Sequence, residues 1–324
     1  MRRRPVRGPS VWQTADHPDP TTWTIELDAT QRREIALQAT EAADQARATG
    51  ALTSTELPLR SLDPVIDRVR AALDGCGFIL LRGFPVDVMS EQATELAYLA
   101  LGLRLGAPVG QDARASVLTH VRDEGIARTG PQVRLYQTHE RQDFHTDGAD
   151  LVGLLCRQAA ASGGESRIAS AHAIYNHVLR TRPDLLDVLY EPFAWDRNDE
   201  QPAGDPPFFL LPAISDIDDI PRVFFIGWYI HDGQRHPDAP RLTEPQREAI
   251  AYIEQTANDP AFHLEMEFRP GDIQLLANDR ILHAREAFTD HPDPAERRDL
   301  LRLWLRRPDT RVNELLREGI PARD

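Results

Sequence analysis

His145 and Asp147 stand two positions apart in "DFHTDGAD", residues 143–150, at the edge of the apolar run "LVGLLC". On a strand, side chains two apart point to the same face, so an imidazole and a carboxylate would converge on one point. Such a pair suits a shared metal ion. It equally suits a buried hydrogen bond. A metal would need a third ligand, and among the eleven histidines His283 has the best setting. In "PGDIQLLANDRILHAREAF" a strand, a turn at "NDR" and a second apolar segment lead up to it. His17, His236 and His291 lie in loops rich in proline and aspartate, while His172 and His177 fall on a predicted helix. Two histidines and a carboxylate leave positions open on iron(II) for further ligands, and they also serve zinc with an activated water. Iron, zinc and a purely structural pair all stand open at this level.

A second constellation lies near the C-terminus. In "RRDLLRLWLR" the alternation puts Arg298, Leu300, Arg302 and Trp304 on one face and Leu301, Leu303 and Leu305 on the other. Two guanidiniums on so apolar a strand are costly unless they meet anions. A guanidinium forks onto a carboxylate with two parallel hydrogen bonds, so a small dicarboxylate beside the metal is the natural ligand.

The elements that must position these groups can be read coarsely. Residues 1–24 read as an irregular N-terminal arm, and 25–324 as one domain with a helical first part. Asp28 can cap a helix running to about Thr49; "PVIDRVRAALDGCG" is a helix closed by glycine; "FILLRGF" is a buried strand; a helix spans about Glu91 to Leu103. Beyond residue 115 short strands dominate: "SVLTHV", "LVGLLC", "FFLLP", "RVFFIGWYI", "FHLEMEF", "DIQLLA" and "LLRLWLR". Helices interrupt them near 171–190 and 244–257, the second opened by a capping-box pattern, Thr243 with Gln246. The fold class expected is mainly β with flanking helices (α+β), two sheets forming a barrel or jelly roll. The proline-rich, acidic stretch 196–220 reads as a lid-like insertion near the mouth of the site.

Composition narrows the function classes. With 324 residues, 41% of them hydrophobic and 27% charged, the chain can bury a full core. A formal charge of −14 argues against nucleic acid or an anionic membrane as partner, since both demand a basic footprint. There is no lysine, which removes Schiff-base and P-loop chemistry. Cys76 and Cys156 sit far apart in apolar surroundings and read as buried thiols. "MRRRPVRGPS" is basic with no apolar stretch after it, so it reads as a loose tail and not as a secretory signal. A cytoplasmic enzyme with a small-molecule substrate is expected, with monomer and homo-oligomer both compatible.

Taken together, "HTD", the distal His283, Arg298 beyond it and "SGGES" at 162–166 resemble the iron(II)- and 2-oxoglutarate-dependent dioxygenases, within them the taurine dioxygenase and clavaminate synthase branch. The likeness runs in order and spacing over about residues 75–307. It implies a distorted double-stranded β-helix with iron(II) at one mouth, held by His145, Asp147 and His283. It further implies 2-oxoglutarate with its distal carboxylate on Arg298 and a hydrogen bond from Ser166, a position where the branch often has threonine. Arg302 matches a position that supports the cosubstrate or contacts a substrate anion. Tyr136, Gln137 and Thr138 lead toward the metal motif and are candidate substrate residues. The implied reaction consumes O2 and 2-oxoglutarate, releases succinate and carbon dioxide, and hydroxylates an unactivated carbon of a carboxylate- or amino-acid-like metabolite. Desaturation, cyclisation and epimerisation would use the same ligands. Halogenases of this class lack the carboxylate ligand, so Asp147 argues against halogenation. The rivals are a zinc-dependent hydrolase, which has no use for the arginine pair, and a non-catalytic jelly-roll binding protein with His145 and Asp147 merely hydrogen-bonded.

Overall fold

Two mostly antiparallel sheets face one another, and the alternation of the strands decides what lies between them. The computed structural model describes residues 3–49, 57–112, 114–126, 133–201 and 203–307. The end of the expected domain, 308–324, lies outside the described residues. The larger sheet runs Thr24–Glu26, Phe78–Arg82, Ile273–Ala277, Leu151–Gln158, Asp299–Arg306 and Ala107–Pro108, with Leu118–Val121 also paired to Asp299–Arg306. Its first two strands are parallel and the other pairings antiparallel. The smaller sheet runs His263–Met266, Ser166–Ser170, Ile281–Arg285 and Gln142–His145, antiparallel throughout. This is the jelly-roll core expected from the strand pattern, with helices on its outer faces and no closed barrel.

Leu301, Leu303 and Leu305 point outward, where they pack with Leu151, Leu155, Ile273 and Leu275 against the helices Ala29–Thr49, Asp63–Asp74 and Glu91–Leu103. Each such leucine, fully withdrawn from water, contributes about 1.5–3 kcal/mol. Leu282 and Ala284 of the smaller sheet likewise turn outward onto the helices Ala171–Thr181, Pro183–Leu189 and Glu244–Asn258. The residues between the sheets are apolar at one end, where Phe78, Leu80, Val152, Leu276 and Leu300 meet Ile168, Leu264, Met266 and Ile281. At the other end the inward positions are polar: Ser166, Gln274, His283, Arg285 and Arg302 are all buried. One end of the sandwich is packed; the other carries the chemistry.

Local signals account for most boundaries. The Asp28 carboxylate accepts from the Thr30 and Gln31 amides at 2.8 and 2.9 Å and starts the first helix. The Thr243–Gln246 capping box opens Glu244–Asn258. Two expectations need correction. "RVFFIGWYI" is not one strand: Ile220–Val223 pairs with Ile214–Ile217, and Gly227–Gly233 is a short helix. Within the 196–220 stretch, Phe208–Pro212 pairs with Pro192–Asp196 and Ile214–Ile217 with Ile220–Val223. The described part of "MRRRPVRGPS" is not loose: Val6 exchanges backbone hydrogen bonds with the Asn176 side chain and buried Ser10 bonds His172, while Trp12 and Trp23 farther along the arm are buried against Phe78. Cys76 and Cys156 are free thiols, the second fully buried. No helix among the described residues is long and apolar enough to cross a membrane.

Candidate active site

His145 ends its strand directly opposite His283, with ring centroids 4.2 Å apart. Asp147 lies beyond the strand, so plain strand alternation does not bring it in. A clamped loop does. Asn278 accepts from the Asp147 amide at 2.8 Å and donates to the carbonyls of Asp147 and Ala149 at 2.6 and 2.7 Å. The Thr146 amide donates to the Phe225 carbonyl, and the Phe225 amide donates back to the Thr146 hydroxyl. Asn278 belongs to the "NDR" turn that precedes the His283 strand, so one turn fixes both halves of the site.

The three side chains bring candidate ligand atoms within 4.8 Å of one another, all buried. Nε2 of His145 is 3.9 Å from one Asp147 oxygen, and Nε2 of His283 is 3.6 Å from the other. Those separations are too long for hydrogen bonds, which removes the reading of His145 and Asp147 as a bonded structural pair. Nδ1 of His145 lies 2.8 Å from the Asp143 carbonyl, which can only accept, so the proton sits on Nδ1 and Nε2 keeps its lone pair. The Gln142 amide donates to that same Nε2 at 3.1 Å. Burial, and then the neighbouring His283, push the His145 pKa down to about 3, and burial also lowers that of His283. For Asp147, burial works upward but is outweighed by Arg302 and the two histidines, so the carboxyl is held below its ordinary value. Two neutral imidazoles and one carboxylate, aimed at a common point without bonding to each other, fit a divalent metal ion.

Asp147 is oriented in turn by the C-terminal strand. Trp304 donates from Nε1 to Oδ2 at 3.0 Å, and Nη1 of Arg302 is 3.5 Å from Oδ1. Arg302 also donates from Nε to Gln111 at 2.7 Å and lies over the rings of Tyr136 and Trp304. Arg298 is buried, donates to the Val121 carbonyl at 3.3 Å, and has its pKa lowered to about 10 by burial. Ser166 exchanges hydrogen bonds with Gln274 at 3.0–3.2 Å. A cavity of about 440 Å³, its open mouth included, is lined by His145, His283, Ser166, Arg298 and Arg302 together with Tyr136 and Arg285.

Of the three candidate substrate residues, Tyr136 lines this cavity. Gln137 donates instead to Glu124 and Thr138 to the Leu135 carbonyl, so a short turn absorbs both. His172 is satisfied in the core by Ser10 and the Pro221 carbonyl. Arg285 was missed in the sequence; Trp304 was read only as sharing the arginine face, with no role at Asp147, and the ring of Trp228, in the aromatic run 224–229, meets that of His145 at 4.9 Å. Arg285 carried a signal: it is a charge two places after His283, on the inward face of an otherwise apolar strand.

Fold and site together define a non-haem metal oxygenase of the jelly-roll class. The chain belongs to the taurine catabolism dioxygenase TauD, TfdA family, whose model matches residues 43–304. FR-33289 synthase of Streptomyces rubellomurinus is 31% identical over 310 residues, covering 94% of this chain and 91% of that protein. Among solved structures, an asparagine oxygenase in complex with Fe(II), 2S,3S-3-hydroxyasparagine and succinate superposes with a TM-score of 0.65 at 18% identity, covering 87% of this chain and 93% of that one. The non-heme iron oxygenase OrfP, in complex with Fe and alpha-ketoglutaric acid, gives 0.64 at 16% identity, with 87% and 94% covered. The chain is an iron(II)- and 2-oxoglutarate-dependent oxygenase.

Proposed function

We propose that the protein hydroxylates an unactivated carbon of a small acidic or zwitterionic metabolite. In this reading His145, Asp147 and His283 hold the iron, Arg298 and Ser166 bind 2-oxoglutarate, and Tyr136 walls the substrate side with Arg302 behind it. Bound there, iron(II) with 2-oxoglutarate supplies the oxidising power: O2 is consumed, succinate and carbon dioxide leave, and one oxygen atom enters a substrate C–H bond. The protein's own part is orientation and exclusion of water. The Asp143 carbonyl keeps the proton of His145 on Nδ1, while Trp304 and Arg302 hold both oxygens of Asp147 in place. Arg302, with Nε on Gln111 and Nη1 beside Asp147, supports the carboxylate as well as facing the cavity.

One observation carries the acidic substrate. The described residues that line the cavity include three arginines and no carboxylate. Iron(II) would add two positive charges and 2-oxoglutarate two negative ones, which leaves Asp147 to match three guanidiniums. Excess buried charge is costly in a low dielectric, and an anionic substrate relieves it. The hydroxyasparagine bound to the asparagine oxygenase carries such a carboxylate on an amino acid. The test is a screen of small metabolites, read by succinate formation, with mass spectrometry on each hit. Acidic or amino-acid substrates that gain one oxygen atom are expected. Turnover confined to compounds that carry no carboxylate or other anionic group would overturn the substrate class, and products that lose hydrogen without gaining oxygen would overturn hydroxylation.

A further inference from the structure

Arg285 is one of the three arginines lining the cavity, and no ligand has been assigned to it. It follows His283 by two residues on one strand, so both side chains enter the cavity, roughly 7 Å apart along the chain. Across the antiparallel pairing its Cα faces that of Ser166. Its guanidinium is divided in use. Nη2 donates to the carbonyls of Leu135 and Glu140, whereas Nε and Nη1 are buried with no hydrogen-bond partner among the described residues.

Arg298 reaches the same place from the other sheet. The guanidinium carbons of Arg285 and Arg298 lie 5.0 and 4.9 Å from the centre of the Phe288 ring, so a single ring carries both. Arg302 is set apart, engaged by Gln111 and Asp147 and stacked on Tyr136 and Trp304. Two like charges buried on one ring repel, and buried donors without acceptors are costly. A carboxylate that accepts from both guanidiniums relieves both costs.

We propose that Arg285 and Arg298 form a two-guanidinium clamp on the distal carboxylate of 2-oxoglutarate, with Ser166 beside them and Arg302 outside it. The proposal rests on the iron and 2-oxoglutarate reading and adds to it a second cationic anchor. Its test is anaerobic calorimetry on the iron(II)-loaded full chain with two ligands: 2-oxoglutarate, and 2-oxopentanoate, which keeps the keto acid but lacks the distal carboxylate. In Arg285→Gln the dissociation constant for 2-oxoglutarate should rise roughly tenfold or more, while that for 2-oxopentanoate changes less than about twofold. Arg285→Lys keeps the charge without the fork and should show the same selectivity with a smaller loss; it decides the matter if the glutamine variant does not fold. Equal losses for both ligands would make Arg285 a mere strut for the segment 135–140 and overturn the clamp. Unchanged affinity for 2-oxoglutarate would overturn it too. A wild-type protein that binds neither keto acid would defeat the iron and 2-oxoglutarate reading itself, and the clamp with it.

Discussion

Trp304 holds one oxygen of Asp147 while its neighbour on the same face, Arg302, stands by the other. A hydrogen bond to a buried carboxylate contributes about 1.5–3 kcal/mol, and loss of such supporting groups typically lowers metal affinity by about 10–100-fold. Trp304→Phe should therefore weaken iron(II) binding by that factor with the fold intact, as read by anaerobic metal titration; unchanged affinity would show that the indole packs without orienting. Arg298→Leu should remove one partner of the buried ion pair with the distal carboxylate of 2-oxoglutarate. Breaking a buried charge pair costs about 3–5 kcal/mol, so cosubstrate affinity should fall by roughly a few hundred-fold or more. Arg302→Leu should instead raise the ratio of succinate to product. If Arg302→Leu loses the cosubstrate while Arg298→Leu keeps it, the two roles are exchanged. The burial of Arg298 and Arg302 toward one cavity was legible, because a buried charge on an apolar strand needs an anion and alternation says which side it faces. Gln137 and Thr138 were not, since a three-residue turn sends adjacent side chains in different directions and no periodicity betrays it.

At the scale of elements, the glycine pair of "SGGES" shows how a loop sets a side chain. Gly163 and Gly164 both have positive φ, 74° and 77°, where a Cβ is strained. A Cβ on Gly164 would lie 3.2 Å from Nε of Arg298 and from Cβ of Phe288, so the bare backbone makes room for the anchor. Gly164→Ala should cost about 1–2 kcal/mol of stability and also weaken 2-oxoglutarate binding. Gly204→Ala is the control: its φ is also positive, 94°, but nothing lies within 4 Å of the added carbon, so only stability should fall. Equal cosubstrate affinities in the two variants would show that Gly164 does not place Arg298. Strands and helices with one clear period were readable, as the Asp28 cap and the alternating leucines of Asp299–Arg306 attest. "RVFFIGWYI" was not: a continuous apolar run has no period to separate strand from helix, and tertiary packing broke it at Gly227.

Across the whole molecule, the N-terminal arm is tied to the jelly roll through buried His172, which bonds Ser10 on one side and the Pro221 carbonyl on the other. Burial pushes its pKa down to about 4. The unfolded chain takes up this proton near pH 6.5 and the folded chain does not, so stability is lost as pH falls from about 6.5 to about 4. The loss attributable to this group is at most about 3 kcal/mol, and His172→Gln should flatten the profile in that window; an unchanged slope in urea unfolding at several pH values would remove His172 as the cause. The two-sheet architecture was legible from strand count, but the bond between arm and core was not, because contacts between residues so far apart leave no local pattern. The central claim is that His145, Asp147 and His283 hold iron(II) beside 2-oxoglutarate, and an anaerobic spectrum tests it most directly. Adding iron(II) and then 2-oxoglutarate to the wild-type protein should produce the weak visible charge-transfer band of a chelated keto acid, and His145→Ala and His283→Ala should each abolish it. A band that persists in both variants, or never forms in the wild type, would contradict the account.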